Sequence, residues 1–167
     1  MRKPVIGVMG GADVDKDVEA LAERLGILIA RRGWILLNGG RSQGVMAASA
    51  RGAKQAGGLV IGILPDRTTE RASPHLDVAV VTSMGQARNL INVLSSDVVI
   101  ACPGKLGTMS EIVLALDNGK PVILLGWEPW TGLEVGVRTG SLKVASGAEA
   151  AVEQAAELLQ GTRGPAN

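Results

Sequence analysis

Six short apolar runs recur along the chain with helical stripes between them: VIGVMGG (5–11), WILLNGG (34–40), LVIGILP (59–65), VAVVTS (78–83), DVVIACPG (97–104) and PVILLG (121–126). Each is closed by Gly, Pro, Ser or Asn. Continuous β-branched runs of this length suit parallel strands covered on both faces, because strands with one wet face alternate apolar and polar residues. Between the first two runs, Val14, Val18, Leu21, Leu25 and Leu28 form a helical stripe that Gly33 stops after Arg31 and Arg32. The same alternation predicts helices over 44–55, 86–95 and 108–118. A last helix is expected from Ser146, where SGAE places Glu149 at the third helical position of a capping box. The pattern predicts an α/β fold, a doubly wound parallel sheet of six or seven strands in a single domain over residues 1–160. Residues 66–75 read as a polar loop and 161–167 as a disordered tail.

Composition narrows the function classes. Seventeen basic residues against sixteen acidic ones give a net charge of +1, so no global field draws in nucleic acid or an anionic membrane. Any anion must be held locally. The single Cys102 excludes an internal disulfide and a Cys-rich zinc site, and His75 has no partner at metal spacing, so no metal is expected. The chain is long enough to bury a core without a folding cofactor. With no long apolar run and no secretory leader pattern, it reads as cytoplasmic.

In doubly wound sheets, ligands bind beyond the carboxyl ends of the strands, where helix N-termini offer free N–H groups. Gly10 and Gly11 follow the first run, Gly39 and Gly40 the second, and Gly104 and Gly107 the fifth. Any one pair is an ordinary tight turn. Three on one edge point to an anion site. There is neither G-x-G-x-x-G after the first strand nor a G-K-[ST] ending, which argues against NAD and against ATP hydrolysis.

The stretch PGKLGTMSE (103–111) resembles the P-G-G-x-G-T-x-x-E motif of the LONELY GUY proteins, which are cytokinin riboside monophosphate phosphoribohydrolases. GVMGG and LLNGGRSQGVMAASARGAKQAGGLVIGILP agree with the family's other segments, and Arg88 precedes Glu111 by the separation of its functional arginine and glutamate. Lys105, Asn89 and Ser110 depart from that pattern, at the positions of the motif's second glycine, a lysine and the first of two glutamates. With these changes the chain resembles a sister branch, the molybdenum cofactor carrier proteins. The resemblance implies a protein that binds or carries a phosphorylated, ring-containing ligand such as molybdenum cofactor, with nucleoside monophosphate phosphoribohydrolase as the alternative. A regulatory nucleotide sensor is a third class.

The residues themselves allow more than one role. Thr108 could grip a phosphate with the amides of Gly107 and Met109, or serve as an N-cap worth about 1 kcal/mol. Glu111 could be its capping-box partner, TMSE being [ST]-x-x-E; the family motif gives it instead a place under a ribose, where a carboxylate stabilises an oxocarbenium-like state. Arg88 could hold phosphate bidentately or make a surface ion pair, and Lys105 could neutralise a ligand's second acidic group or be solvated. Cys102 reads as a core residue. Trp127 and Trp130 could stack on a ring or fill the core. The helices at 86–95 and 108–118 are apolar nearly all round, which predicts a homodimer or homotetramer joined through them, with Leu114 on the shared surface.

Overall fold

The alternation folds as strand, helix, strand from the first run onward. The computed structural model describes residues 2–161, excepting the side chains of 134 and 135. In chain order the elements are β1 (Val5–Met9), α1 (Lys16–Arg31), β2 (Ile35–Asn38), α2 (Gly44–Gln55), β3 (Leu59–Leu64), β4 (Val78–Val81), a 3₁₀ turn (Gly85–Ala87) leading into α3 (Arg88–Leu94), β5 (Val98–Ala101), α4 (Leu106–Asp117), β6 (Val122–Leu125), α5 (Glu134–Thr139), β7 (Leu142–Ala145) and α6 (Ala148–Gly161). The strands form one parallel sheet in the order β4-β3-β2-β1-β5-β6-β7. The chain therefore starts in the middle, runs outward to β4, and returns past β1 to lay down β5, β6 and β7. That reversal makes a topological switch point between β1 and β5.

Side chains alternate across the sheet into two cores. Ile6, Val8, Leu36, Val60, Val98 and Ile100 face a cluster that includes Leu25 and Ile29 of α1, and Val152 and Leu159 of α6. Met9, Leu37, Val99, Ala101, Val122 and Leu124 face Val93 of α3 and Ile112 of α4. The stripe read for α1 packs on the first of these, with Asp15 capping the helix through Val18 N at 2.9 Å and Gly33, at φ +71°, ending it.

Several boundaries differ from the sequence reading. The helix expected over 86–95 is split, because the 3₁₀ turn precedes Arg88. α4 starts at Leu106 rather than Thr108, since Lys105 is extended and its carbonyl already accepts from Met109 N. α6 starts at Ala148, with Gly147 accepting the first helical bond from Ala151, so Ser146 is not its cap. Glu149 instead receives Arg24 of α1 at 2.7 Å. The tail expected at 161–167 falls, from residue 162 on, outside the described residues. No helix among the described residues is long and apolar enough to cross a membrane.

Candidate functional site

The three glycine-bearing loops follow β2, β1 and β5, which are neighbours in the sheet, so one edge at the switch point gathers them. Backbone bonds lock them together: Gly11 N donates to the Pro103 carbonyl at 2.9 Å, and Val45 N, in the first turn of α2, to the Gly11 carbonyl at 3.0 Å. Above them lies a cleft of about 290 Å³ lined by Gly10, Gly11, Gly39, Arg88, Lys105, Gly107, Thr108 and Glu111, among others. Gly40 and Gly104, expected in the binding set, do not line it. Gly40 accepts Ser73 N and packs on Gly62, while Gly104 lies beneath Thr108, where a Cβ would overlap the threonine hydroxyl.

Thr108 is not the N-cap of α4. It occupies the third helical position and is buried. Because the first intrahelical bond is made by Met109, the amides of Leu106, Gly107 and Thr108 lie in the turn that has no carbonyl to pair with, at the positive end of the helix. Two of those residues line the cleft. The capping box read from TMSE does not form: Glu111 Oε1 accepts from Asn92 Nδ2 at 2.8 Å. Glu111 is 7% exposed, and burial pushes its carboxyl up to about 7, against the opposing pull of the Asn92 bond and the Arg88 charge.

Arg88 does not make a surface salt bridge. It opens α3 and donates from a terminal nitrogen to the Ile63 carbonyl at 2.9 Å, and its Nε is buried without a partner. Burial lowers the pKa of the guanidinium, with Glu111 opposing the shift. Gly39 makes room for it: a Cβ there would overlap the guanidinium. Lys105 stands at the mouth, paired with Asp13 at 2.9 Å, with both side chains largely exposed. The pair holds the Asp13 carboxyl below its ordinary range.

Some residues that support the cleft have no signal in the sequence. Asn92 and Asn38 are fully buried polar residues. Asn38 clamps the loop after β2, donating to the Met46 carbonyl at 2.9 Å and accepting from Gly40 N at 2.8 Å. Asn89 and Ser110, two of the departures from the motif, bond to each other at 3.0 Å and so join α3 to α4 beside the cleft. Trp127 donates its indole N–H to the Ala101 carbonyl at 2.9 Å and packs with Trp130 on the second core, so the pair fills space rather than lining the cleft. Cys102 is fully buried, its thiol pushed up to about 12 by desolvation. Among the described residues no cluster of His, Cys, Asp and Glu could hold a metal ion.

The family model described as the SLOG cluster4 family matches residues 3–156. The chain belongs to the SLOG cluster4 family. The match takes in GVMGG, LLNGGRSQGVMAASARGAKQAGGLVIGILP and PGKLGTMSE, the segments that carry the resemblance, and runs on past them toward the end of the chain. Among solved structures, the molybdenum cofactor binding protein from the phototrophic bacterium Rippkaea orientalis is 48% identical, covers 95% of this chain and 99% of its own, and superposes with a TM-score of 0.89. The molybdenum cofactor carrier protein from Chlamydomonas reinhardtii is 43% identical with the same coverage and a TM-score of 0.87. A cytokinin riboside 5'-monophosphate phosphoribohydrolase from Mycobacterium tuberculosis is 34% identical over 66% of this chain, and the match spans 62% of that protein's length.

Proposed function

We propose that this chain binds and carries a phosphorylated, ring-containing ligand of the molybdenum cofactor type. The observation that carries the reading is the cleft at the switch point, lined by Gly107 and Thr108 from the unpaired first turn of α4 and by the half-buried Arg88. These groups fit an oxyanion. The likeness to carrier and binding proteins over 95% of the chain supports the ligand class. Mass spectrometry of the ligand that copurifies with the native protein tests it, and a phosphorylated pterin is the expected result. A copurified ligand without phosphate would defeat the reading. Arg88→Ala should weaken binding of that ligand ten- to a hundredfold, about 1.5 to 3 kcal/mol, as measured by calorimetry.

The second reading is a nucleoside monophosphate phosphoribohydrolase, favoured by the buried Glu111 beside Arg88 in the cleft. Under it, ribose 5-phosphate is released from AMP or a cytokinin ribotide and the release is lost in Glu111→Gln. Under the carrier reading the wild type releases none.

The proposal includes self-association through α3 and α4. Leu90, Leu94 and Val113 are exposed apolar residues on these helices, which supports a second copy as their cover. Leu114, expected on that surface, is partly buried against the second core, which leaves it less accessible to a second copy than Val113.

A further inference from the structure

Asn92 lies one turn after Arg88 on the same face of α3, fully buried, and ligand binding as proposed gives it no task. Its Nδ2 donates to Glu111 Oε1 at 2.8 Å, while its Oδ1 is buried with no donor among the described residues. An amide beside a carboxylate uses its nitrogen and leaves its oxygen bare. Beside a carboxylic acid it uses both, because the acid accepts at one oxygen and donates from the other, which closes a ring of two hydrogen bonds. Turning the amide over would aim its oxygen at Glu111, which again asks for a proton there.

We infer that Asn92 is a positioning residue that holds Glu111 as a neutral acid in a paired acid–amide ring, so that the cleft meets an anionic ligand without an opposing carboxylate. The proton comes from solvent onto Glu111 Oε2 and is donated to Asn92 Oδ1. The single bond that Asn92 donates to Oε1 and the charge of Arg88, on α3, both favour the anion, and burial outweighs them; Asn92 favours the neutral acid only through the second bond, from Oε2 to its Oδ1. Lys105 and Asp13, from the cap of α4 and the loop after β1, line the same cleft and pair with each other. A neutral acid lacks the charge that would stabilise an oxocarbenium-like state, so in a hydrolase it could serve only as a proton donor. Only the use of the neutral acid rests on the carrier reading; its state belongs to the free chain.

The test is a carboxyl NMR titration of the full chain with ¹³C-labelled glutamate, from about pH 4 to about pH 9, the Glu111 signal being assigned by its loss in Glu111→Gln. The wild type should titrate near neutrality. In Asn92→Leu the midpoint should fall, by about tenfold in proton affinity, because the neutral form loses both bonds, whereas the anion loses one bond and is also relieved of the Asn92 Oδ1 that faces its second oxygen. Donation to an anion alone requires the opposite, a rise. A wild-type midpoint in the ordinary carboxylate range, or a midpoint unchanged or raised in Asn92→Leu, overturns the pair. If Asn92→Leu does not fold, infrared spectroscopy decides on the wild type. Below neutrality it should show a carboxylic-acid carbonyl band at the lowered frequency of a doubly bonded acid, absent from Glu111→Gln. No band, or one at the frequency of an unbonded acid, overturns the inference. No arm uses a ligand, so a failure here leaves the carrier reading standing, and an unphosphorylated copurified ligand leaves the pair standing.

Discussion

On one face of the sheet α1 and α2 approach until Gly26 lies against the Ser49 carbonyl and Gly52 against the Glu23 carbonyl, whereas on the other α3 and α4 leave Leu94 48% and Val113 51% exposed. The first face is shut by backbone-to-backbone contact and carries an apolar cluster from α1, α2 and α6. The second holds the buried polar groups Asn89, Asn92 and Glu111 between its helices and opens into the cleft at its upper end. Burial on the first face is directed at stability. On the second face some apolar surface is left uncovered and some polar groups are desolvated, both costly in an isolated chain, and both fit the proposed ligand and the proposed second copy.

The largest effect should come from breaking the closed face. A methyl at Gly26 would overlap the Ser49 carbonyl oxygen, and backbone in a packed helix cannot swing aside as a long side chain can. Gly26→Ala should lower stability in urea by about 3 kcal/mol even after the gain of about 1 kcal/mol that alanine brings to a helix. A neutral or stabilised variant would show that α1 and α2 slide freely and that the closed face is not the rigid one.

The open face should respond to pH instead. Glu111 is raised in the folded state from 4.5 to about 7, so the folded chain holds a proton that the unfolded chain gives up. The stability this contributes is fully present below about pH 4.5 and is lost as pH rises through about 7. Glutamine is neutral at every pH and can bond to Asn92 through both of its amide atoms. Glu111→Gln should therefore match the wild type in urea at acid pH and exceed it by about 2 to 3 kcal/mol above pH 8, a gap that reads out the desolvated carboxylate. Equal stability at both ends of the range would mean that water reaches the carboxyl.

The two faces also differ in what the sequence discloses. The strands and the α1 stripe are legible because parallel strands covered on both sides need continuous apolar runs, and because the helix repeats its stripe over four turns. The glycine loops are legible as a set, since three of them follow neighbouring strands. β7 is not: Leu142–Ala145 is four residues long and carries Lys143. Gly26 and Gly52 read only as weak points in helices, and their reason is a contact between elements that no periodicity announces. Asn92 is hidden in the same way within NLINVL, because its partner Glu111 lies on another helix. TMSE misleads for a physical reason. The capping pattern is present, but Lys105 already supplies the extended cap residue, so the helix begins before Thr108 and turns Glu111 toward Asn92.

A charge placed on the open face should change assembly more than folding. Val113 lies on the outer side of α4, and Val113→Glu should alter monomer stability by no more than about 0.5 kcal/mol, the range for exposed sites. Light scattering at micromolar concentration should nevertheless show the mass falling from an oligomer to a monomer. An unchanged mass would remove this helix from the interface, and a wild type that is already monomeric would remove the interface.

The smallest effect belongs to the rim of the cleft, where Lys105 replaces the motif's glycine. Its ion pair with Asp13 is exposed on both sides, 77% and 88%, so water and salt screen it and its two long side chains give up entropy to hold it. Lys105→Gly should leave the thermal midpoint unchanged, in contrast to Gly26→Ala on the closed face. Any role of Lys105 must then be electrostatic and felt by the ligand alone. Affinity for the copurified ligand should drop only a few-fold at low salt, and the difference should vanish at about 1 M salt, where the Debye length shrinks to about 3 Å. A loss of affinity that persists at high salt would place Lys105 in direct contact with the ligand, as part of the site and not of its rim.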